Sequence, residues 1–555
     1  MKATASAWIL GGLLGVAGLL TALPLAIEGP AMFAWDDTEY VTQALETFEH
    51  VNARGLISWP AYMAHHQVVK PPLYVNTLAA ALFVVGRDRG ALAAGMVGGA
   101  SIVCFGLAVY WLVSRLAQRH IALAATAAML ALPCVARWFP AAYTDGQLSV
   151  LTLLAIGLLA VDVDRWRLGR TVLLGVTIGL AMLAKTTFPM FLVLPLGYWL
   201  VRGGEGRPPL GHRVGVAAQV VAIAAIVAST WYVTQGKEAL YYARVSSGFQ
   251  LGPVADNVWG RAQEWLAFLL ARGWGYSLAL LAVVGIAARV SNHGASSAAD
   301  GVERRRAAGR AVVMLLLGAL PMLVFAAWSR VPPNTRHPLP SLILVAVAVL
   351  IAALNQVDRS RYRSILWPAC LLVVGIQGAA AAASLVPPVA RTIRDRPIGA
   401  WAVRLAPGLN EHRPVSLEAA SIVLDRAREV TSRPGSPTDW YVSGNSAYLN
   451  VPRLRMLAKL RGVPVNFLWG SYFAWSRADR DAKAADMRKG PCVVVLYEPV
   501  APAGTELAEL NQHNAETRAF VADPANGFEL VRDASVTTEV YALTFYVRPR
   551  PPGQP

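Results

Sequence analysis

The strongest constraint on the fold is a series of apolar stretches, each about twenty residues long, that recurs through the first 386 residues. About twenty apolar residues are what a helix needs to cross the hydrocarbon core of a bilayer. The chain has 555 residues, of which 55% are hydrophobic and only 15% charged. A soluble chain of this size carries more charge. The pattern therefore predicts a polytopic α-helical membrane protein.

The apolar stretches predict about eleven transmembrane helices. The predicted spans are 7–27, 92–114, 120–137, 145–162, 171–185, 187–201, 214–232, 273–289, 311–328, 337–354 and 364–386. For the first span we favour an uncleaved signal-anchor over a cleaved signal peptide, because its apolar stretch is long for a signal peptide.

Clusters of arginine set the predicted topology. They fall in the loops 115–119, 165–170, 202–213, 304–310 and 359–363. Arginine-rich short loops stay in the cytoplasm, so the first loop and the C-terminal tail are expected outside it. We predict a multi-pass protein of the inner (plasma) membrane. The net charge of +16 is explained by these loops, so we predict no nucleic-acid partner.

The first outer loop, about 28–91, holds two predicted interfacial helices. Residues 40–57 have the helical spacing of an amphipathic segment. Residues 71–86 are apolar but begin with Pro-Pro and are short for a span. A span there would also move every later arginine cluster outside the cell. We therefore predict that both segments lie at the outer membrane face.

The tail has a different character. After about residue 387 charge rises, and helix-like and strand-like segments alternate. We predict a transmembrane domain at 1–386 and an extracytoplasmic soluble α/β domain at 387–555, with a mostly parallel sheet. The tail has no glycine fingerprint for a dinucleotide, so we assign it no cofactor and interpret it as a cap or acceptor-docking domain.

Two adjacent acids, Asp36 and Asp37, are the first candidate catalytic residues. Two neighbouring carboxylates at a membrane edge favour either a raised pKa or a bound cation. One of them is placed to act as a general base. The alternative is a solvated loop in which Asp37 caps the following helix.

Single charges at the outer ends of predicted spans form a second group. They are Lys70, Asp145, Lys185 and Arg336. Each has a structural explanation, since an acid suits a helix N-terminus and lone cations snorkel. Together, three cations around an outer cavity would suit an anionic lipid phosphate.

Histidine and cysteine give weaker signals. His65 and His66 could bind a divalent metal with the acids, with His66 and Asp37 as ligands, or could be ordinary polar loop residues. The four cysteines have no metal-ligand spacing and indicate no disulfide framework.

The order of these motifs is similar to a known superfamily. The paired acids are followed by KPPLY (70–74), Asp145, AKTTFPMFLVLPL (184–196) and NTRHPLPSLILV (334–345). Residues 30–345 thereby resemble the C-type, polyprenyl-phosphate-sugar-dependent glycosyltransferases, nearest to the dolichyl-phosphate-mannose-protein mannosyltransferase and aminoarabinose transferase branch.

The resemblance implies roles for these residues. Asp36 would be the catalytic carboxylate, Asp37 a supporting or metal-linked acid and Asp145 a second essential acid. Lys70 and Arg336 would contact the lipid phosphate. We add Lys185, Tyr40 and His337 as substrate-binding candidates. The chain has Glu39-Tyr40 and Arg336-His337 where the aminoarabinose branch has Arg-Tyr, so no lipid A function is assigned.

The sequence thus predicts a membrane glycosyltransferase. It would move a sugar from a polyprenyl-phosphate donor to a hydroxyl of a lipid, glycan or protein acceptor, on the extracytoplasmic face and with inversion. A flippase or transporter of a lipid-linked sugar and a noncatalytic membrane scaffold are the alternatives. Candidate charges gathered at one face favour the enzyme, because a flippase needs charges along a path through the bilayer.

Overall fold

The protein is described by a computed structural model. It covers residues 2–33, 36–65, 70–161, 168–202, 208–246, 257–291, 300–328, 336, 338–394, 416–433, 436–443, 449–470, 477–499, 514–538 and 541–549. The chain forms two compact units. The first unit is Met1–Ile27, Thr47–Val84 and Ala91–Arg413, and the second unit is Glu28–Glu46, Val85–Gly90 and Pro414–Pro555. The domain boundary between 386 and 387 stays a prediction.

The first unit is helical. Its helices, some of which extend into the short segments of the second unit, are Lys2–Glu28, Asp36–Arg54, Trp59–His65, Leu73–Val85, Gly90–Leu116, Arg119–Leu130, Pro133–Trp138, Thr144–Ala160, Leu168–Ala184, Pro189–Val201, Leu210–Ser246, Val258–Phe268, Gly275–Ser291, Asp300–Trp328, Leu339–Arg359, Arg363–Leu385 and Pro387–Arg394. A π-helical turn, Leu269–Trp274, joins two of them.

Seven helices in the described ranges are long and apolar enough to cross a membrane. Shorter apolar helices include Thr144–Ala160, Leu168–Ala184 and Pro189–Val201, each of which coincides with a predicted span. The multi-pass membrane architecture is therefore confirmed, whereas the total of eleven spans stays a prediction. The helix Leu73–Val85 has only 13 residues, which agrees with its short apolar stretch.

The predicted span 120–137 is not one continuous helix. Its first helix ends at Leu130, and a second begins at Pro133. Leu132 between them is extended, with ψ 137°. A proline disfavours the helical conformation of the preceding residue, so the break follows from the sequence at this point.

The helix Leu339–Arg359 lies at the centre of the first unit. In its most apolar window 72% of the residues are buried, against 6% for the neighbouring helix Arg363–Leu385. Close packing elsewhere depends on glycine. A Cβ at Gly175 would lie 2.7 Å from Cβ of Ile223, and one at Gly179 would lie 2.6 Å from Cβ of Val227. Glycines four residues apart thus let two membrane helices approach closely.

The second unit contains a sheet in the order β2-β1-β3-β6-β4, with β5 also pairing β6. The strands are β1 Asp439–Ser443, β2 Asn466–Trp469, β3 Cys492–Pro499, β4 Glu529–Leu530, β5 Val536–Thr537 and β6 Tyr541–Arg548. The accompanying helices are Glu418–Thr431, Val451–Arg461, Arg477–Lys489 and Asn514–Ala522. This confirms the small C-terminal α/β domain.

The sheet is mixed rather than mostly parallel. β1 pairs in parallel with β2 and β3, whereas β6 is antiparallel to β3, β4 and β5. Parallel pairing needs a crossover of a dozen or more residues. Only residues 538–540 connect β5 to β6, so these two paired strands must be antiparallel. The strand periodicity of the sequence did not indicate these directions.

Candidate active site

Asp145 lies in the first turn of the helix Thr144–Ala160, and its side chain is fully buried, with 0% exposure. The positive end of the helix dipole favours a carboxylate there. A buried charge needs further partners. The free energy needed to move an unpaired carboxylate from water into protein is far larger than the stabilisation by a helix N-terminus.

Two cations from distant segments supply those partners. Nζ of Lys185 lies 2.5 Å from Oδ1 of Asp145, and Nε of Arg336 lies 3.2 Å from Oδ2. Lys185 directly follows the helix Leu168–Ala184. Arg336 precedes the helix Leu339–Arg359, and its carbonyl accepts from the amide of Leu339. The structure thus brings together three of the residues predicted for the site.

Two cations face one carboxylate in this ion cluster. Both are held mostly out of water, since Lys185 and Arg336 are only 19% and 20% exposed. Both oxygens of Asp145 accept charge-assisted bonds, so the carboxylate orients the cations and is poorly suited to take a proton from a substrate. Partly buried cations that a carboxylate orients are suited to bind an anion such as a phosphate.

Tyr143 completes the cluster, and the sequence did not point to it. The guanidinium carbon of Arg336 lies 3.9 Å from the centre of the Tyr143 ring. This cation–π contact fixes the plane of the guanidinium. The only sequence signal was the position of an aromatic residue directly before Thr144-Asp145.

The same unit contains an apolar cavity of about 410 Å³. One of its lining residues, Gln147, follows Asp145 by two positions in the sequence. The cavity lies among the helices Leu73–Val85, Gly90–Leu116 and Thr144–Ala160, with Thr77, Cys104 and Gln147 among its lining residues. Nε2 of Gln147 donates to Oγ1 of Thr77 at 2.8 Å and so ties two of the walls together. A mainly apolar cavity of this size can hold part of a hydrocarbon chain.

Lys70 stands at the start of the helix Leu73–Val85. It is half-buried, and the following Pro71 and Pro72 are buried. The carbonyl of Pro72 accepts from the amide of Asn76, so the double proline begins the helix. A role for Lys70 in phosphate contact stays a prediction.

The acid pair belongs to the second unit. Asp36 is the first residue of the helix Asp36–Arg54, and Asp37 is buried, with 5% exposure. Tyr40 is also buried, with 3% exposure. The side chains of Asp36 and His65, and the whole of His66 and His337, lie outside the described part of the structure. The catalytic and binding roles of Asp36, Asp37, Tyr40 and His337 stay predictions.

The described ranges contain no group of three His, Cys, Asp or Glu side chains that could hold a metal ion. The predicted ligand pair of His66 and Asp37 includes a residue outside those ranges, so a divalent metal there stays a prediction. Asp145, with both oxygens bound to cations, is not suited to be a metal ligand.

The fold is similar to that of two solved structures of one protein. ArnT from Cupriavidus metallidurans in the apo state matches with a TM-score of 0.59 at 15% identity, over 98% of both chains. The same protein bound to undecaprenyl phosphate matches with a TM-score of 0.57, also at 15% identity and 98% coverage of both. The oligosaccharyltransferase AglB from Archaeoglobus fulgidus, in complex with an inhibitory peptide and a dolichol-phosphate, matches more weakly, with a TM-score of 0.49 at 12% identity, over 89% of this chain and 69% of that one.

No family model and no curated protein sequence matches the chain. The structural likeness shows that the chain has the fold of ArnT, while the likeness to the C-type polyprenyl-phosphate-sugar glycosyltransferases rests on the sequence motifs. It also covers more of the chain than residues 30–345, since 98% includes the C-terminal domain. At this identity the likeness establishes the fold and leaves the reaction to be argued from the residues.

Proposed function

We propose that the protein is an integral membrane glycosyltransferase. It transfers a sugar from a polyprenyl-phosphate donor to an acceptor hydroxyl at the extracytoplasmic face of the inner membrane, with inversion at the anomeric carbon. The observation that carries this proposal is the cluster of Asp145, Lys185 and Arg336. Two partly buried cations, oriented by one carboxylate, suit a phosphate.

The apolar cavity adds to this proposal. It extends from Gln147, close in sequence to Asp145, to Cys104 in the middle of the helix Gly90–Leu116. A phosphate with a long hydrocarbon chain needs a cation site and an apolar surface in the same molecule. The undecaprenyl phosphate bound to the structurally similar ArnT has this chemistry.

The proposed reaction is a single displacement. The acceptor oxygen forms a bond to the anomeric carbon while the bond from that carbon to the phosphate oxygen breaks. Asp36 takes the acceptor proton as general base, and polyprenyl phosphate leaves with an additional negative charge. Lys185 and Arg336 stabilise that charge, a contribution that grows as the bond breaks. Asp37 supports Asp36, and Asp145 orients the two cations.

Reconstitution with defined donors tests this function. Purified protein in liposomes is given polyprenyl-phosphate-linked sugars with lipid, glycan and peptide acceptors, and mass spectrometry follows the products. The proposal predicts glycosylated acceptor and free polyprenyl phosphate in equal amounts. Movement of intact donor between leaflets with no release of polyprenyl phosphate would instead identify a flippase. Loss of a glycoconjugate from a deletion strain would identify the natural acceptor.

A further inference from the structure

The helix Asp36–Arg54, here called the acidic helix, carries carboxylates on one side over its first three turns. Glu39 and Glu46 are seven residues apart and therefore lie on the same side of the helix. Gln43 lies between them and donates Nε2 to Oε1 of Glu39 at 3.4 Å. This acidic side begins one turn after Asp36, and residues 36–46 all belong to the second unit.

The helix Val451–Arg461 of the C-terminal domain, here called the basic helix, faces these carboxylates. Nζ of Lys459 lies 3.5 Å from Oε1 of Glu46. Arg455 lies one turn earlier, and its Nε donates to the carbonyl of Phe467 at 2.7 Å. Burial lowers the pKa of Arg455, while the carboxylates of Glu46 and Glu39 act to raise it. Two cations of the basic helix therefore lie in the field of two carboxylates of the acidic helix.

Two further contacts join the same segments. Arg453 is fully buried, and its Nη2 donates to the carbonyl of Ala31, just before the acidic helix, at 3.5 Å. Burial lowers the pKa of Arg453 to about 10, so the guanidinium is still charged at neutral pH. A Cβ at Gly90 would lie 3.3 Å from Cγ1 of Val41 and 3.8 Å from Cδ2 of Leu460. A single Cβ at this position would thus meet a side chain of each helix.

We propose that the basic helix positions the acid pair. Lys459 and Arg455 hold the acidic helix through Glu46 and Glu39, and Arg453 holds the segment that leads into it. The start of the acidic helix, Asp36 and Asp37, is thereby kept in the geometry that sugar transfer needs. The C-terminal domain then contributes to catalysis through positioning residues. This inference rests on the proposed function, in which Asp36 is the base.

Charge reversal tests the contact. Lys459→Glu and Glu46→Lys each place like charges together, and the double variant restores an opposite pair. A displacement of about 1 Å at a reacting group can cost up to about 100-fold in rate. We expect each single variant to lower kcat by roughly 10-fold with the KM for the donor unchanged, and the double variant to recover most of the loss. Lys459→Gln and Glu46→Gln remove one charge without creating repulsion. They replace the charge-reversal variants in the test if one of those does not fold.

Lys489→Glu is the matched control. Lys489 is 75% exposed, and its ion-pair partner Asp486 lies on its own helix, Arg477–Lys489. The control should keep the wild-type kcat.

Hydrogen exchange of residues 36–46 gives a readout that needs no activity. It should rise in each single variant and return to the wild-type level in the double variant. If exchange rises and kcat does not change, the positioning role is wrong although the contact exists. If neither exchange nor kcat changes, the contact itself is wrong. If wild-type protein transfers no sugar, the proposed function is wrong. The contact between the two helices could then still be confirmed by hydrogen exchange, but it would have no role in sugar transfer.

Discussion

Nζ of Lys185 lies 2.5 Å from Oδ1 of Asp145, although 40 residues of chain separate the two. The carboxylate is fully buried, and the Lys185 side chain is only 19% exposed. Such a pair is maintained only when each charge has its partner, because removing one leaves the other charge uncompensated in a medium of low dielectric. A second cation, Arg336, contacts the other oxygen of the same carboxylate.

Replacing Asp145 should destabilise the protein as well as inactivate it. Asp145→Asn removes the carboxylate that Lys185 and Arg336 share. Removing one partner of a buried pair costs about 3–5 kcal/mol, so we expect a clearly lower thermal midpoint and severely reduced transfer. Scanning fluorimetry in detergent measures the first effect and a reconstituted assay the second.

A double-mutant cycle separates the pair from the site. Lys185→Met added to Asp145→Asn removes one of the two cations that lost this carboxylate, so part of the lost thermal stability should return while transfer stays low. Two residues in direct contact typically show coupling of about 0.5–3 kcal/mol. Strictly additive losses of stability would contradict the ion pair.

Arg336 should matter through its geometry and not only its charge. Arg336→Ala should weaken binding of polyprenyl phosphate by at least about 10-fold, because charge-assisted bonds to a phosphate contribute roughly 1.5–3 kcal/mol. Arg336→Lys should restore little of it, because a lysine lacks the flat guanidinium that bonds Asp145 through Nε while it lies over the Tyr143 ring. Equal affinity in all three proteins, measured with a fluorescent donor analogue, would mean that the phosphate binds elsewhere.

Cys104 offers a natural probe of the apolar cavity. It lines that cavity and is exposed, whereas Cys134, Cys370 and Cys492 are buried. Burial also raises the pKa of Cys492 to about 11, so its thiol stays protonated and unreactive at neutral pH. We expect a maleimide to label mainly Cys104 in detergent, and prior addition of polyprenyl phosphate to slow the labelling. Inorganic phosphate is the control and should not slow it. Unchanged labelling with the lipid would exclude the cavity as its site.

Topology fusions test the predicted orientation. The arginine-rich loops place the C-terminal domain outside the cytoplasm. An alkaline phosphatase fusion after residue 549 should therefore be active, and a fluorescent-protein fusion exported through the Sec pathway should be dark. A control fusion within residues 203–207, a predicted cytoplasmic loop, should give the opposite pattern. A bright C-terminal fusion would reverse the orientation and move the proposed site to the cytoplasm.

Helices and their order could be predicted because membrane spans are encoded locally, by length and hydrophobicity. The break before Pro133 also has a local cause, although the apolar pattern hid it. The number of helices that span the membrane is harder to predict from the sequence. Thr144–Ala160 and Pro189–Val201 are shorter than a full span, and local composition does not determine how deeply they lie in the bilayer.

The ion cluster could be predicted only in part. The sequence identified Asp145, Lys185 and Arg336 as charges that need partners, but their pairing depends on the tertiary packing of three helices. The sequence also could not show that each oxygen of Asp145 accepts a bond from a cation. Because of these two bonds, Asp145 is better suited to orient the cations than to take a proton. The contact of Glu46 with Lys459 joins residues 413 positions apart, and no local pattern indicates it.

The most direct test of the account compares wild-type protein with Asp36→Asn in liposomes that contain a polyprenyl-phosphate-linked sugar and its acceptor. Asparagine keeps the size of the side chain and removes the base. A positioned general base contributes about 10²- to 10⁴-fold in rate, so transfer should fall by that factor. Donor affinity should not change, and Glu49→Gln, on the same helix, should transfer at the wild-type rate. Transfer by Asp36→Asn at a near wild-type rate would contradict the account and make Asp37 the next residue to test.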